Sequence, residues 1–172
     1  MEYDALGQDF HSRGARLSEQ IVLLRQLWEE PLVDFAGEFD RIERAGILPR
    51  PRRRIPIFCG GFSEPAYRRA AKLADGFIFA RGFEDGAITG WRRLKELLAE
   101  EDRPIAGFGA HCLLQGTGGR TLSLDEIERK LPDWETEGGS EVSIVTMQQG
   151  FTSVDQHVDY MAEAKHFLGR LL

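Results

Sequence analysis

The chain has 172 residues, of which 42% are apolar and 29% charged, values typical of one globular domain. Its net charge of −6 argues against a general nucleic-acid surface, which needs a basic face. No apolar run approaches the roughly 20 residues that cross a bilayer, and the acidic, polar N-terminus is unlike a secretory signal. Cys59 and Cys112 lie in apolar runs, as small core residues of a reducing compartment do. We therefore expect a cytoplasmic protein with no membrane and no nucleic-acid partner.

The first third of the chain predicts a helix, a hairpin and a connector. Apolar residues recur at helical spacing from about Arg13 to Trp28, and Pro31 ends that helix. Residues 32–42 alternate around a glycine and predict a small hairpin. Residues 46–54 hold two prolines and four arginines and predict an extended connector. We interpret the arginines as a solvated run, with contact to an anion as the alternative.

Strands and helices alternate in the rest of the chain. The predicted strands are 55–59, 76–80, a part of 105–115, and 141–147; the predicted helices are 64–73, 88–101, 124–136 and 154–171. Ser123 with Glu126 and Ser153 with Gln156 form capping boxes at two of the helix starts. Because the strands are rich in Ile, Val and Phe, they predict a parallel sheet covered by helices. The fold class is therefore α/β.

The segment between Arg54 and Pro65 is the strongest candidate for a binding site. It reads as a buried strand, the pair Gly60–Gly61 and a helix that begins at Ser63. In this geometry, backbone N–H groups and a helix N-terminus receive a phosphate. The alternative is a tight loop in which Ser63 only caps the helix. The residues alone leave both interpretations open.

Other polar residues favour structural roles. Asp75 lies before a strand, and we expect it to accept hydrogen bonds from loop amides. His111 lies within a strand next to Cys112, but no second Cys or His pair has metal-ligand spacing, so we predict a buried, hydrogen-bonded histidine and no metal site. No Gly-x-Gly-x-x-Gly or Gly-Lys-Ser/Thr pattern follows a strand, which disfavours an ordinary doubly wound nucleotide binder. No catalytic residue is predicted.

Several segments carry a family resemblance that extends over almost the whole chain. They are residues 2–7, 10–17, 27–31, 35–37, 54–57, 60–61, 68–71, 74–77 and 141–147. In this order, they resemble the bacterial luciferase-like monooxygenase superfamily. They are most similar to its deazaflavin (coenzyme F420)-dependent oxidoreductases.

The resemblance implies a (β/α)8 barrel, of which only the C-terminal half, strands five to eight, is found here. Residues 1–30 then correspond to the fourth helix of the family. Residues 31–54 form an insertion hairpin and connector, and residues 55–172 form four strand–helix units. Together they make one partial barrel domain.

The resemblance also implies a cofactor site. The family's cofactor phosphate lies against the positions of Gly60, Gly61, Phe62 and Ser63. Arg81, at the end of the next strand, is a further candidate partner for the phosphate or for a polyglutamate tail, with a solvated side chain as the alternative. The implied cofactor is coenzyme F420 or FMN, and the implied chemistry is oxidation or reduction of a small-molecule substrate.

The missing strands bear on catalysis and on assembly. The family holds the cofactor ring and the substrate largely with residues of its first four strands, so the catalytic residues stay unknown. Because a four-stranded half-barrel has two free edges, we expect a homo-oligomer or pairing with an N-terminal half. The alternative function is a non-catalytic half-barrel that serves as a structural or partner-binding module.

Overall fold

The computed structural model of the protein describes residues 2–80, 86–115, 123–147 and 149–168. The helices are α1 (Glu2–Ala5), α2 (Arg13–Glu29), α3 (Glu64–Leu73), α4 (Ile88–Glu100), α5 (Leu124–Thr136) and α6 (Val154–Leu168). The strands are β1 (Val33–Ala36), β2 (Arg41–Ala45), β3 (Phe58–Gly60), β4 (Gly76–Phe79), β5 (Gly109–Gln115) and β6 (Glu141–Val145). None of these helices is long and apolar enough to span a membrane.

The strands form a hairpin and a parallel sheet. β1 and β2 pair antiparallel, as the alternation around Gly37 predicts. The other four strands pair parallel in the order β3-β4-β5-β6, and a helix follows each of them. The prediction of an α/β fold with a parallel sheet is therefore confirmed. Within the described part of the chain, no strand pairs with the outer edge of β3 or of β6.

The first strand of the sheet is shorter than predicted and begins at Phe58 instead of Ile55. Pro56 has no N–H to donate to a neighbouring strand. The N–H of Ile57 donates to a carboxylate oxygen of Asp75 at 2.8 Å, so it does not join the ladder. The last strand ends at Val145, before the predicted end at Met147.

The core lies between the sheet and the helices that follow its strands. Side chains of alternate strand positions, including Phe77, Phe79, Cys112 and Leu114, are buried on this covered face of the sheet. Trp91 and three leucines of α4 and Trp134 of α5 fill the space against them. The alanines of α3 let that helix pack closely on the sheet. Both cysteines are free and buried, as predicted.

The opposite face of the sheet is less completely covered, and we call it the open face. Its side chains stand at the intervening strand positions and are only partly buried; they include Phe58, Ile78, His111, Leu113 and Ser143. Phe58 spreads across the two glycines that begin β4 and β5. A partly apolar face of this kind is a surface on which other elements can pack.

Polar contacts set the positions of the outer elements. The carboxylate of Glu19 in α2 accepts hydrogen bonds from the backbone N–H groups of Glu38, Phe39 and Asp40 in the hairpin loop. The helix α2 in turn packs on α3. Both predicted capping boxes form, with Ser123 bonded to Glu126 and Ser153 to Gln156.

Candidate functional site

The turn after β3, residues Gly60–Ser63, lies at the carboxyl end of the parallel sheet; we call it the glycine turn. The fold requires glycine at only one of the two glycine positions. Gly61 has φ +136°, and a Cβ there would stand 2.9 Å from the Cβ of Ala66, so the local fold demands glycine. A Cβ on Gly60 would meet only the carbonyl oxygen of Ile78, at an ordinary 3.6 Å. The fold therefore leaves room for a side chain at Gly60, and glycine there exposes bare backbone.

Ser63 occupies the N-cap position of α3 but does not cap the helix with its side chain. Its backbone is extended, with φ −120° and ψ 152°, and its hydroxyl accepts no helix N–H. The prediction of a serine-capped start is correct for the position and wrong for the hydrogen bond. Among the described residues, the N–H groups of Ser63 and Glu64 donate to no backbone acceptor. Unpaired donors at a helix N-terminus are the usual receptors of an anion.

The glycine turn lines part of a groove of about 880 Å³. We call it the basic groove because His11, Arg13, Arg16 and Arg69 line it. Its remaining lining residues are Tyr3, Gln8, Asp9, Ser12, Gly14, Leu17, Gln20, Gly60, Gly61, Phe62, Ser63, Pro65 and Ala66. The groove thus runs between the start of α2 and the start of α3.

The arginines of the basic groove are held in place mainly by neutral groups. Arg13 donates to the carbonyl oxygen of Phe10 at 2.6 Å and lies over the Phe10 ring, with its guanidinium carbon 3.6 Å from the ring centre. Arg69 donates through Nε to the hydroxyl of Ser18 at 3.1 Å. Neither makes an ion pair with a carboxylate of the described chain. Their charge is therefore available to a ligand.

A smaller cavity of about 260 Å³ lies on the other side of the glycine turn. It shares Gly61 and Phe62 with the basic groove and reaches Arg93 and Thr89 of α4. Arg93 forms ion pairs with Glu64 at 2.7 Å and Glu96 at 2.7 Å. Because its charge is already matched, this cavity offers less to an anion than the basic groove does.

Asp75 has the structural role that the sequence predicts. It accepts a hydrogen bond from the N–H of Ile57 and pairs with Arg25 and, at 3.0 Å, with Arg54. Partial burial opposes ionisation, but these hydrogen bonds and cations hold the pKa of Asp75 below its usual range. The carboxylate thus fixes the connector to the beginning of β4.

His111 and the two cysteines are also structural. His111 hydrogen-bonds through Nε2 to the hydroxyl of Ser143 at 2.8 Å on the open face, and the carboxylate of Glu141 lies 3.6 Å from Nδ1. This confirms the expected hydrogen bond, although the ring is only partly buried. Burial raises the pKa of the Cys112 thiol to about 12 and also raises that of Cys59, so neither thiol supplies a thiolate near neutral pH.

Arg81 lies outside the described residues, so its predicted role stays a prediction. Gln149, which follows the last strand, is 2% exposed and donates to the carbonyl oxygen of Val145 at 2.8 Å. It stabilises the end of β6. In the part of the chain described, no three His, Cys, Asp or Glu side chains gather as metal ligands.

The sequence alone did not identify the basic groove. The only earlier mention of the groove arginines is within segments of the family resemblance, which contain Arg13, Arg16 and Arg69. One local signal was available: the first turn of α2 holds two arginines and no acidic residue. Because a helix N-terminus favours negative charge, cations placed there indicate that an anion comes from elsewhere.

Comparison with solved structures establishes the class of fold. The monooxygenase RslO1 from Streptomyces bottropensis superposes on 99% of this chain with a TM-score of 0.75 at 15% identity, and the match covers 65% of that protein. An F420-dependent secondary alcohol dehydrogenase, solved with an F420–acetone adduct, superposes on 94% of this chain, with a TM-score of 0.57 at 13% identity; 57% of that protein is covered. The chain therefore has the α/β fold of these two enzymes.

Comparison of sequences establishes the family. The pattern of the family described as luciferase-like monooxygenase matches residues 1–115. The F420-dependent glucose-6-phosphate dehydrogenase of Intrasporangium calvum is 38% identical over 123 residues, which are 72% of this chain and 32% of that protein. This chain belongs to the luciferase-like monooxygenase family, within which it is similar to F420-dependent oxidoreductases. It spans about a third of the length of the curated relatives it matches.

Proposed function

We propose that this chain is the cofactor-phosphate-binding part of a flavin- or deazaflavin-dependent oxidoreductase, with coenzyme F420 or FMN as the cofactor. Gly60, Gly61, Phe62 and Ser63 hold the phosphate, and Arg81 contributes a further cation. The observation that carries the proposal is the glycine turn, where unpaired N–H groups and bare backbone open into a groove lined by arginines. When bound, such a cofactor accepts or donates the hydride, and these residues bind and orient its phosphate end.

The residues of the glycine turn fit a phosphate for three separate reasons. Gly60 exposes backbone although the fold has room for a side chain there. The N–H of Glu64, at the first position of α3, and the Ser63 hydroxyl have no partner within the helix. The acidic residue in the first turn of α3, Glu64, is neutralised by ion pairs with Arg68 at 3.0 Å and Arg93 at 2.7 Å. Its charge therefore repels an incoming anion less than an unpaired carboxylate would.

The barrel assignment belongs to the same proposal. Residues 1–30 are the fourth helix, 31–54 the insertion hairpin and connector, and 55–172 the last four strand–helix units of a (β/α)8 barrel. The order β3-β4-β5-β6 with a helix after each strand supports this assignment. In such barrels the site lies at the carboxyl ends of the strands, where the glycine turn lies. The ring of the cofactor and the substrate then contact the other half.

Two serines at helix N-caps provide a matched test. Ser63 makes no capping hydrogen bond, whereas Ser123 forms a complete capping box with Glu126. We expect Ser63→Ala to weaken binding of F420 or FMN roughly tenfold, since it removes one hydrogen bond to a charged group. The free energy of unfolding should stay within about 0.5 kcal/mol. Ser123→Ala should do the reverse, losing about 1 kcal/mol of stability with binding unchanged.

Calorimetric titration and chemical denaturation of the same preparations measure both quantities. If Ser63→Ala loses stability and binds normally, the glycine turn is only a tight helix start. If the unmodified chain binds neither F420 nor FMN, the proposed function is wrong.

A non-catalytic, partner-binding half-barrel is the second candidate, and the open face favours it. Ile78 and Leu113 are partly exposed there, and the edges of β3 and β6 are unpaired within the described chain. This function predicts a dimer or larger assembly in light scattering. Leu113→Asp should reduce the assembly, whereas Val158→Asp, on the exposed side of α6, should leave it unchanged. A monomer that stays soluble at high concentration would contradict it.

A further inference from the structure

We propose that His111, Ser143 and Glu141 form a second chemical site on the open face of the sheet, where Ser143 is the nucleophile for acyl transfer from small esters. The Nε2 atom of His111 lies 2.8 Å from the Ser143 hydroxyl, and a carboxylate oxygen of Glu141 lies 3.6 Å from Nδ1. The contact that joins β5 to β6 thus also places a base directly on a hydroxyl. A nucleophile, a base and an orienting carboxylate in this order are the parts of a serine hydrolase triad. This site uses neither the glycine turn nor the basic groove, so its activity is separate from the proposed function.

The register of the sheet brings the three side chains to one place. Glu141 and Ser143 are two residues apart on β6, so they project from the same face of that strand. On β5, His111 is the direct neighbour of Glu141 across the ladder, and Leu113 is the neighbour of Ser143. From this position the imidazole reaches the carboxylate with one ring nitrogen and the hydroxyl with the other.

Backbone contacts fix the two strands that carry the site. Just before β6 begins, the N–H and the hydroxyl of Ser140 both donate to the carbonyl oxygen of Ala110, at 2.9 Å and 3.0 Å. The buried Trp134 donates through its indole N–H to the carbonyl oxygen of Glu141 at 3.2 Å. Side chains on strands held in this way keep their relative positions better than side chains on loops do.

The carboxylate of Glu141 favours the imidazole tautomer that a base requires. A negative charge beside Nδ1 favours the neutral ring that carries its proton on Nδ1. Nε2 then has a lone pair, and the Ser143 hydroxyl donates to it. The separation of 3.6 Å is longer than a hydrogen bond, as is common before a substrate binds. The His111 side chain is 18% exposed, so it is partly shielded from water and is still reached from the open face.

An ester with an apolar acyl group suits the surroundings of Ser143. Leu113 lies beside it on β5, and Ile78 lies beside His111 on β4; both are partly exposed on the open face. An apolar acyl group can pack on these two side chains. β6 is an edge strand within the described chain, so the N–H groups on its outer side have no strand partner there. Donors of this kind stabilise the negative oxygen that forms in acyl transfer.

The reaction is an ordinary acyl transfer followed by hydrolysis. The Ser143 oxygen bonds to the ester carbonyl carbon, and its proton passes to Nε2 of His111. The bond from that carbon to the alcohol oxygen breaks, and the alcohol leaves with the proton from His111. Water then bonds to the acyl carbon and gives its proton to His111. The bond to Ser143 breaks, the proton returns to the serine oxygen, and a carboxylic acid leaves.

The test uses the full chain and two probes. One is p-nitrophenyl butyrate, whose hydrolysis releases a coloured phenolate, and the other is a fluorophosphonate, which phosphonylates an activated serine with loss of fluoride. We expect a single phosphonate at Ser143 in peptide mass mapping, and ester hydrolysis above the rate in buffer. Ser140 is an internal control, because its hydroxyl is bound to the backbone of Ala110. It should stay unlabelled.

Three variants separate the roles of the side chains. Ser143→Ala should abolish labelling and hydrolysis. His111→Gln keeps a hydrogen-bonding side chain but removes the base, and should slow both reactions about a hundredfold. Glu141 acts through the imidazole as a positioning residue and is 59% exposed, so Glu141→Gln should lower kcat about twofold to fivefold and leave KM unchanged. The matched control Glu43→Gln, in the hairpin, should change neither constant.

Thermal denaturation of every variant shows whether it is folded, and His111→Gln decides the question if Ser143→Ala does not fold. Labelling of Ser143 that persists at full rate in folded His111→Gln would show that the imidazole is not the base and would overturn the proposal. A label on another residue, or equal hydrolysis by Ser143→Ala and the unmodified chain, would overturn it as well. Folded Ser143→Ala should bind F420 or FMN like the unmodified chain, so failure of acyl transfer and failure of cofactor binding are distinguishable.

Discussion

Gly60 and Gly61 are adjacent, but alanine should affect them in opposite ways. At Gly61, φ +136° and a Cβ contact of 2.9 Å with Ala66 make any L side chain strained. Backbone strain of this kind costs about 1–3 kcal/mol, which for a domain of this size lowers the melting temperature by about 2–4 °C per kcal/mol. At Gly60 the nearest atom is 3.6 Å away, so alanine should change the unfolding free energy by less than about 0.5 kcal/mol.

Alanine at Gly60 should weaken cofactor binding more directly than alanine at Gly61, which is the reverse of the expected order for stability. The methyl group added by Gly60→Ala would cover the backbone that an anion approaches. We expect it to weaken F420 or FMN binding about tenfold, which is about 1.4 kcal/mol of binding free energy. Gly61→Ala should lower the melting temperature first and lose binding only as a consequence. Thermal denaturation and calorimetric titration on both variants measure the two effects. A Gly60→Ala variant with normal stability and normal affinity would refute close approach of an anion to the turn.

Three further predictions concern stability, thiol burial and hydrogen exchange. Asp75→Ala leaves the N–H of Ile57 unpaired and should lower the free energy of unfolding by about 2–4 kcal/mol in chemical denaturation. Because the fold lowers the pKa of Asp75, its stabilising contribution is present at neutral pH and should be lost as the pH falls below about 4. Cys59 and Cys112 should resist iodoacetamide in the native protein and react after denaturation, and rapid native labelling would contradict their burial. Glu19→Gln should speed hydrogen exchange of the hairpin amides that its carboxylate binds, whereas unchanged exchange would show that they are protected in another way.

The sequence determined the elements of the fold because local periodicity and capping are short-range properties. The helix predicted over 64–73 is observed as Glu64–Leu73, and the box of Ser123 and Glu126 begins α5 where expected. The beginning of β3 could not be predicted in this way. The partner that removes Ile57 from the ladder is Asp75, 18 residues further along the chain.

The candidate site was likewise predictable from the sequence only in part. The sequence by itself located the glycine turn, because a strand, two glycines and a helix start follow one another directly. Only the tertiary structure showed that Gly61 is required by the backbone and Gly60 is not, since that depends on the distances to Ala66 and Ile78. Likewise, Arg69 lies more than 50 residues after Arg13 and Arg16 in the chain, and the packing of α2 on α3 brings the three arginines together. Charge that converges through packing has no local pattern, so only the folded chain shows where these arginines come together.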